Sequence, residues 1–175
     1  MRKVLSREFF DRPTLEVAKD LLGKFLVRRR GRKTEAYMIT EVEAYDGFRD
    51  KASHAHRGRT ARNAVMFGPA GHWYVYFTYG MHWMLNIVTG PKDYPAAVLI
   101  RGVDGISGPA KITKAFVVGR GLNNRTSSVK TGLWIENRGV RVGKKLIKRT
   151  GRVGVAYAGR YWAGRKYRFA LGQRC

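Results

Sequence analysis

Two carboxylates and a tyrosine at alternate positions, Glu41, Glu43 and Tyr45, lie in the run Ile39-Thr40-Glu41-Val42-Glu43-Ala44-Tyr45-Asp46-Gly47. On a β-strand these three side chains share one face, with Val42 and Ala44 on the other. A carboxylate held there could serve as a general base that activates water. Paired glutamates on a strand can equally face solvent beside basic neighbours, and the pair alone does not decide. In a basic cleft such a group is expected to stay ionised near neutral pH, because nearby cations favour its charged form. His54 and His56 follow in a polar loop, with His72 and His82 elsewhere. With no C-x-x-C and no H-E-x-x-H motif, neither a metal site nor a cofactor is expected. A third cluster, Trp73-Tyr74-Val75-Tyr76-Phe77-Thr78-Tyr79-Gly80-Met81, is rich in aromatics that belong either to the core or to a binding surface.

The charge balance narrows the choice. The chain of 175 residues holds 35 Lys and Arg against 12 Asp and Glu, a formal net charge of +23. Residues 126–175 carry 13 of the basic residues and a single acidic one, Glu136. Any one basic run is an ordinary solvated surface, but the excess as a whole points to a polyanionic partner, nucleic acid before membrane surfaces. A hydrophobic content of 44% and 21 glycines favour a turn-rich globular fold over disorder. The length suits one domain over residues 1–175 with a real core. The one cysteine, Cys175, allows no disulfide within the chain, so a reducing intracellular compartment is expected. The charged start Met1-Arg2-Lys3 lacks a signal-peptide core, and no stretch reaches the ~18 apolar residues of a membrane span.

These residues need elements to hold them. Pro13 before Thr14, Gly23 after Leu22, and the stripe Leu15, Ala18, Leu21, Leu22 predict a helix over 14–22, with Ser6 capping a shorter one before it. Lys24 to Arg30 reads as a strand, paired through a basic turn with Ala36 to Tyr45. Residues 46–71 read as a long irregular loop, which in a compact domain is usually functional. His72 to Thr78 and Trp83 to Val88 read as a hairpin around Tyr79-Gly80. Further strands are expected at 96–102, 132–136, 152–157 and 167–171, and a short helix at 109–117. The expected fold class is α+β: one domain with a curved, mostly antiparallel sheet flanked by short helices. At the hairpin tip Tyr79 has little protein to pack against, and an exposed aromatic amid positive charge suits stacking on or wedging between bases. The segments Arg59-Thr60-Ala61-Arg62-Asn63 and Ser107-Gly108-Pro109-Ala110-Lys111 have the composition of phosphate-contacting loops, the second opening a helix.

Taken in order, Leu21-Leu22-Gly23-Lys24, Glu41-Val42-Glu43-Ala44-Tyr45, His54, Arg62-Asn63, Met66-Phe67, Tyr74-Val75-Tyr76, Tyr79-Gly80-Met81, Asn86, Leu99-Ile100-Arg101, Ser107-Gly108-Pro109-Ala110-Lys111, Arg152-Val153-Gly154-Val155, Ala158-Gly159 and Arg168-Phe169 closely resemble the alkyladenine (3-methyladenine) DNA glycosylase family of the mammalian type. The resemblance implies a monofunctional repair enzyme that flips a damaged purine out of double-stranded DNA and hydrolyses its N-glycosidic bond. It implies Glu43 as general base, Arg101 and the Val153 carbonyl as holders of the attacking water, and Tyr45, His54 and Tyr76 as walls of the base pocket. Asn86 would disfavour the exocyclic amine of guanine, and Tyr79 would fill the gap left by the flipped nucleotide. Arg59, Arg62, Asn63, Met66 and Lys111 are the remaining expected DNA contacts, and a monomer is expected. The chain departs from the family pattern in a short segment, Gly102 to Ile106, where a longer insertion is usual, and in its early end after Arg168-Phe169. A non-catalytic basic RNA- or ribosome-associated module, or a damage sensor without catalysis, would explain the charge equally well. The first gives no reason for Glu43, His54, Asn86 and Arg101 to occur together, and the second would be expected to have lost Glu43.

Overall fold

The computed structural model describes residues 2–172, so Cys175 lies outside the described residues. Its centre is one ten-stranded antiparallel sheet with short helices, an α+β fold as expected. In chain order the elements are β1 (Lys3–Val4), α1 (Arg7–Phe10), α2 (Thr14–Leu21), β2 (Phe25–Arg30), β3 (Lys33–Asp46), β4 (Trp73–Thr78), β5 (His82–Val88), β6 (Ala96–Val103), β7 (Ile106–Ser107), α3 (Pro109–Ala115), β8 (Leu133–Asn137), β9 (Ile147–Thr150), α4 (Gly159–Gly164) and β10 (Arg168–Leu171). The main strand order is β1-β8-β2-β3-β6-β5-β4, with β10 joined to β3 and β9, and β7 joined to β6.

β3 organises the sheet. Its first half pairs with β2, its second half with β6, and Glu41 to Glu43 also take β10 on the opposite edge. Alternation sends Val42 and Ala44 into the main core with Val17, Ala18 and Leu21 of α2, while Glu43 and Tyr45 face the other way. The β3–β6 register slips twice, skipping Thr40 on one strand and Arg101 on the other. Bulges of this kind re-aim side chains near functional sites. Here the backbones come so close that a Cβ on Gly102 would meet the Glu41 Cβ at 2.8 Å.

The sheet differs from expectation at its C-terminal end. Residues 152–157, expected as a strand, form turns that run into a 3-10 turn at Ala156–Ala158. Gly154 lies at φ 74°, which breaks an extended path, and the Arg152 side chain is drawn into the interior. Besides β3, β10 pairs with β9, formed by Ile-Lys-Arg-Thr, whose mostly exposed residues carry no alternating apolar signal. Ser6 precedes α1 but makes no side-chain capping hydrogen bond. Residues 47–71 form an irregular segment of turns and bends around a 3-10 turn at Ala64–Phe67.

Candidate active site

The far face of β3 opens into a cleft of about 760 Å³ lined by Glu43, Tyr45, His54, Tyr74, Tyr76 and Asn86 among others. This falls in the range of small-molecule sites. Glu43 is fully buried at its base. Its Oε1 accepts the Val153 N–H at 2.7 Å and its Oε2 accepts the Tyr45 hydroxyl at 2.9 Å. The Arg101 Nε stands 3.5 Å from Oε1. Arg101 reaches this point from its bulge and also donates to Glu41 at 2.9 Å, while Arg168 donates to the same Glu41 oxygen at 2.6 Å.

Burial pushes the Glu43 carboxyl above its ordinary value; Arg101, the Val153 amide, Tyr45 and Arg152 pull it back without overcoming the burial. The neighbouring cations favour the charged form, as the sequence argument has it, but burial outweighs them. Desolvation wins because the charge has no water to solvate it. The result is a stronger base than an exposed glutamate, closer to the pKa that suits proton removal near neutral pH.

The walls are aromatic. The His54 ring meets Tyr76 edge-on at 4.6 Å between centroids, and its Nδ1 hydrogen-bonds with the Tyr74 hydroxyl at 3.0 Å. Burial, then the Arg62 charge, hold the His54 imidazole below its usual value, which favours its neutral form. Burial also pushes the Tyr76 hydroxyl up to about 12, so it remains protonated. Asn86 is buried on β5, its amide nitrogen fixed on the Tyr74 carbonyl at 3.1 Å. This bond holds its side chain against the cleft wall.

The rim holds the remaining sequence-derived residues in two groups. Tyr79 is 79% exposed at the tip between β4 and β5, and Phe77 and Met81 are exposed beside it. Arg62 braces this hairpin, donating to the Phe77 carbonyl at 3.0 Å and lying over the Tyr76 ring. Arg59 lies over the Phe67 ring, and Lys111 is exposed on the first turn of α3. Asn63 and Met66 are different: at 1% and 2% exposure neither faces solvent as a DNA contact would. Asn63 ties the loop by donating to the carbonyls of His54 and Gly58 and accepting the Thr60 N–H, and Met66 packs under Tyr74 and Tyr76. Val153 presents its N–H to the site, where the sequence reading assigns its carbonyl.

Sequence reasoning missed Arg152, Asp50 and Arg168. The alternation of Glu41 with Glu43 was a usable signal for a network around Arg101. Nothing local marked the buried contact between Asp50 and Arg152.

A family model described as methylpurine-DNA glycosylase (MPG) matches residues 8–107. A protein of Methanocella arvoryzae is 47% identical over 176 residues, covering 89% of this chain and 86% of its own length. One from Anaeromyxobacter sp. (strain Fw109-5) is 42% identical, covering 95% and 88%, and one from Legionella pneumophila 40% identical, covering 98% and 95%. All three carry the provisional name 3-methyladenine DNA glycosylase. A buried carboxylate under an aromatic cleft on this sheet thus has a family, and the chain belongs to it: it is a methylpurine-DNA glycosylase, a monofunctional DNA-repair hydrolase. Among the described residues no helix is long and apolar enough to cross a membrane.

Proposed function

We propose that the protein flips alkylated or deaminated purines, of the 3-methyladenine, 7-methylguanine, hypoxanthine and ethenoadenine type, out of duplex DNA and hydrolyses the N-glycosidic bond. The observation that carries this reading is Glu43, buried beneath aromatic walls with a tyrosine hydroxyl, a backbone amide and an arginine around its carboxylate. Glu43 takes a proton from water as the water oxygen bonds to C1′ of the sugar. The C1′–N bond breaks and its electron pair leaves with the base. Arg101 and the Val153 carbonyl hold the water. Alkylated purines are often cationic, and each tyrosine face attracts a cation by ~0.5–2 kcal/mol. Such a base is also a good leaving group, so one water-activating carboxylate suffices.

The rigid wall at Asn86 disfavours guanine, whose exocyclic amine needs the space it occupies, and accepts hypoxanthine, which lacks that amine. Tyr79 enters the stack in place of the flipped nucleotide, while Arg59, Arg62 and Lys111 contact phosphates and fix register without reading sequence. Flipping costs a few kcal/mol, least for damaged or mispaired bases, and this adds selectivity. Glu43→Gln tests the central assignment. It should leave lesion-duplex affinity intact and lower single-turnover excision by ~10²-fold or more. Excision near the wild-type rate would remove Glu43 as the base.

A further inference from the structure

Directly behind the site, Arg152 and Asp50 form an ion pair whose two side chains are fully buried. The Arg152 Nη1 donates to Asp50 Oδ2 and to the Ala44 carbonyl, and its Nη2 donates to Asp50 Oδ1 at 2.8 Å. The guanidinium is sandwiched between the rings of Tyr45, at 4.8 Å, and Tyr167, at 5.3 Å. Asp50 also accepts the N–H groups of Asp46 and Ala52, which pins the start of the loop that carries His54.

Stability is a poor explanation for this pair. Burying two charges costs more than exposed pairing, and apolar replacements of buried ion pairs are often as stable or more so. The Arg152 Nε adds to the cost, being buried with no hydrogen-bond partner among the described residues. What the pair does achieve is geometric. Every fixed neighbour of Glu43 on this side is attached to it: Val153 is the next residue along the chain, Ala44 adjoins Glu43, and the Tyr45 ring rests on the guanidinium while its hydroxyl donates to Glu43.

We propose that Arg152 and Asp50 are a positioning pair for the catalytic base: their two-pronged contact sets the Val153 amide and the Tyr45 hydroxyl against Glu43 and so aims its carboxylate at the attacking water. The pair acts through Glu43, and the proposal rests on Glu43 being the base. Arg101 on β6, Tyr45 and Glu41 on β3, Tyr76 on β4, Arg168 on β10 and Tyr157 beside the cleft also surround that carboxylate, and all remain in the variants that test it.

The test is single-turnover excision of hypoxanthine from a duplex at saturating enzyme, over a range of pH, with duplex affinity and melting temperature measured in parallel. The full chain is compared with Arg152→Lys, with the double variant Asp50→Asn/Arg152→Gln, and with Glu43→Gln. Both pair variants should lose about tenfold or more in rate, the scale of a misplaced catalytic group, with affinity changed by no more than about twofold. In the double variant the acid limb should move to higher pH, because Glu43 loses both the Arg152 charge and a fixed amide. Arg152→Lys, which keeps the charge, should shift the limb less. Should Arg152→Lys fail to fold, the double variant carries the test, since it leaves no buried charge unpaired. Folded variants with a wild-type rate and an unmoved limb would overturn the proposal. If Glu43→Gln itself excises normally, the base assignment falls; if it is inactive while the pair variants are not, only the positioning role falls.

Discussion

At the scale of single residues, burial governs the site more than charge does. In the proposed role of base Glu43 must be unprotonated, and its carboxyl is raised above the ordinary value by desolvation. The rate should therefore fall on acidification at a pH above the ~4.3 of a free glutamate, by about tenfold per pH unit below that limb. A rate constant flat down to about pH 4.3 would contradict the raised value. Asn86 is the second residue whose fixed position has a measurable consequence. Asn86→Ser frees the space held by its anchored amide and should lower the hypoxanthine-to-guanine excision ratio. An unchanged ratio would show that another group excludes guanine.

The β4–β5 hairpin is the element that carries risk for the fold and gain for function. Its turn runs from Thr78 to Met81, closed by the Met81 N–H on the Thr78 carbonyl, with Tyr79 at φ 53° and Gly80 at φ 65°. Two positive φ values are what a type I′ turn demands, and Asn or Gly is the usual first residue. A tyrosine there costs about 1 kcal/mol in backbone strain and recovers little through packing at 79% exposure. Strain of this kind is a pointer to function. Tyr79→Gly should keep or raise the melting temperature while weakening flipping, with base–aromatic stacking worth ~1–3 kcal/mol. The loss should be greatest for well-paired lesions, read by a fluorescent base analogue beside the lesion. Flipping at the wild-type level in this variant would refute the wedge role.

For the whole molecule the governing quantity is the net charge of +23. Each phosphate neutralised on binding releases counterions and contributes a slope of about −0.9 to log affinity against log salt. Undamaged duplex should therefore bind with a steep salt dependence, seen in a titration by anisotropy at several salt concentrations. A slope indistinguishable from zero would show that the charge does not serve DNA. The acidic residues of the site sit inside this positive field yet keep apart from it: Glu41 is neutralised by Arg101 and Arg168, Asp50 by Arg152, and Glu43 is buried at the base of the cleft beside Arg101. A cleft built this way can attract a polyanion without presenting bare carboxylates to it.

The sequence by itself determined the strand bearing Glu43 and Tyr45, the hairpin with an exposed Tyr79, the basic character of the surface and the family. Each of these is a local signal: an alternation of two, a tyrosine-glycine tip, a count of charges, or a motif of a few residues. The tertiary structure alone decided what surrounds them. The contact of Asp50 with Arg152 joins residues 102 positions apart, and no local period encodes such a pairing. The segment 152–157, expected as a strand, became a turn because a buried arginine and a positive-φ glycine outweigh propensity, while Ile147–Thr150, for which no strand was expected, becomes one by completing the edge of β10. The bulge that re-aims Arg101 exists only in the register of two strands about 60 residues apart, as the span of its bond to Glu41 shows. The raised proton affinity of Glu43 follows from the closure of protein around it. Burial belongs to the assembled sheet, so it could not be read from the residues that flank the carboxylate.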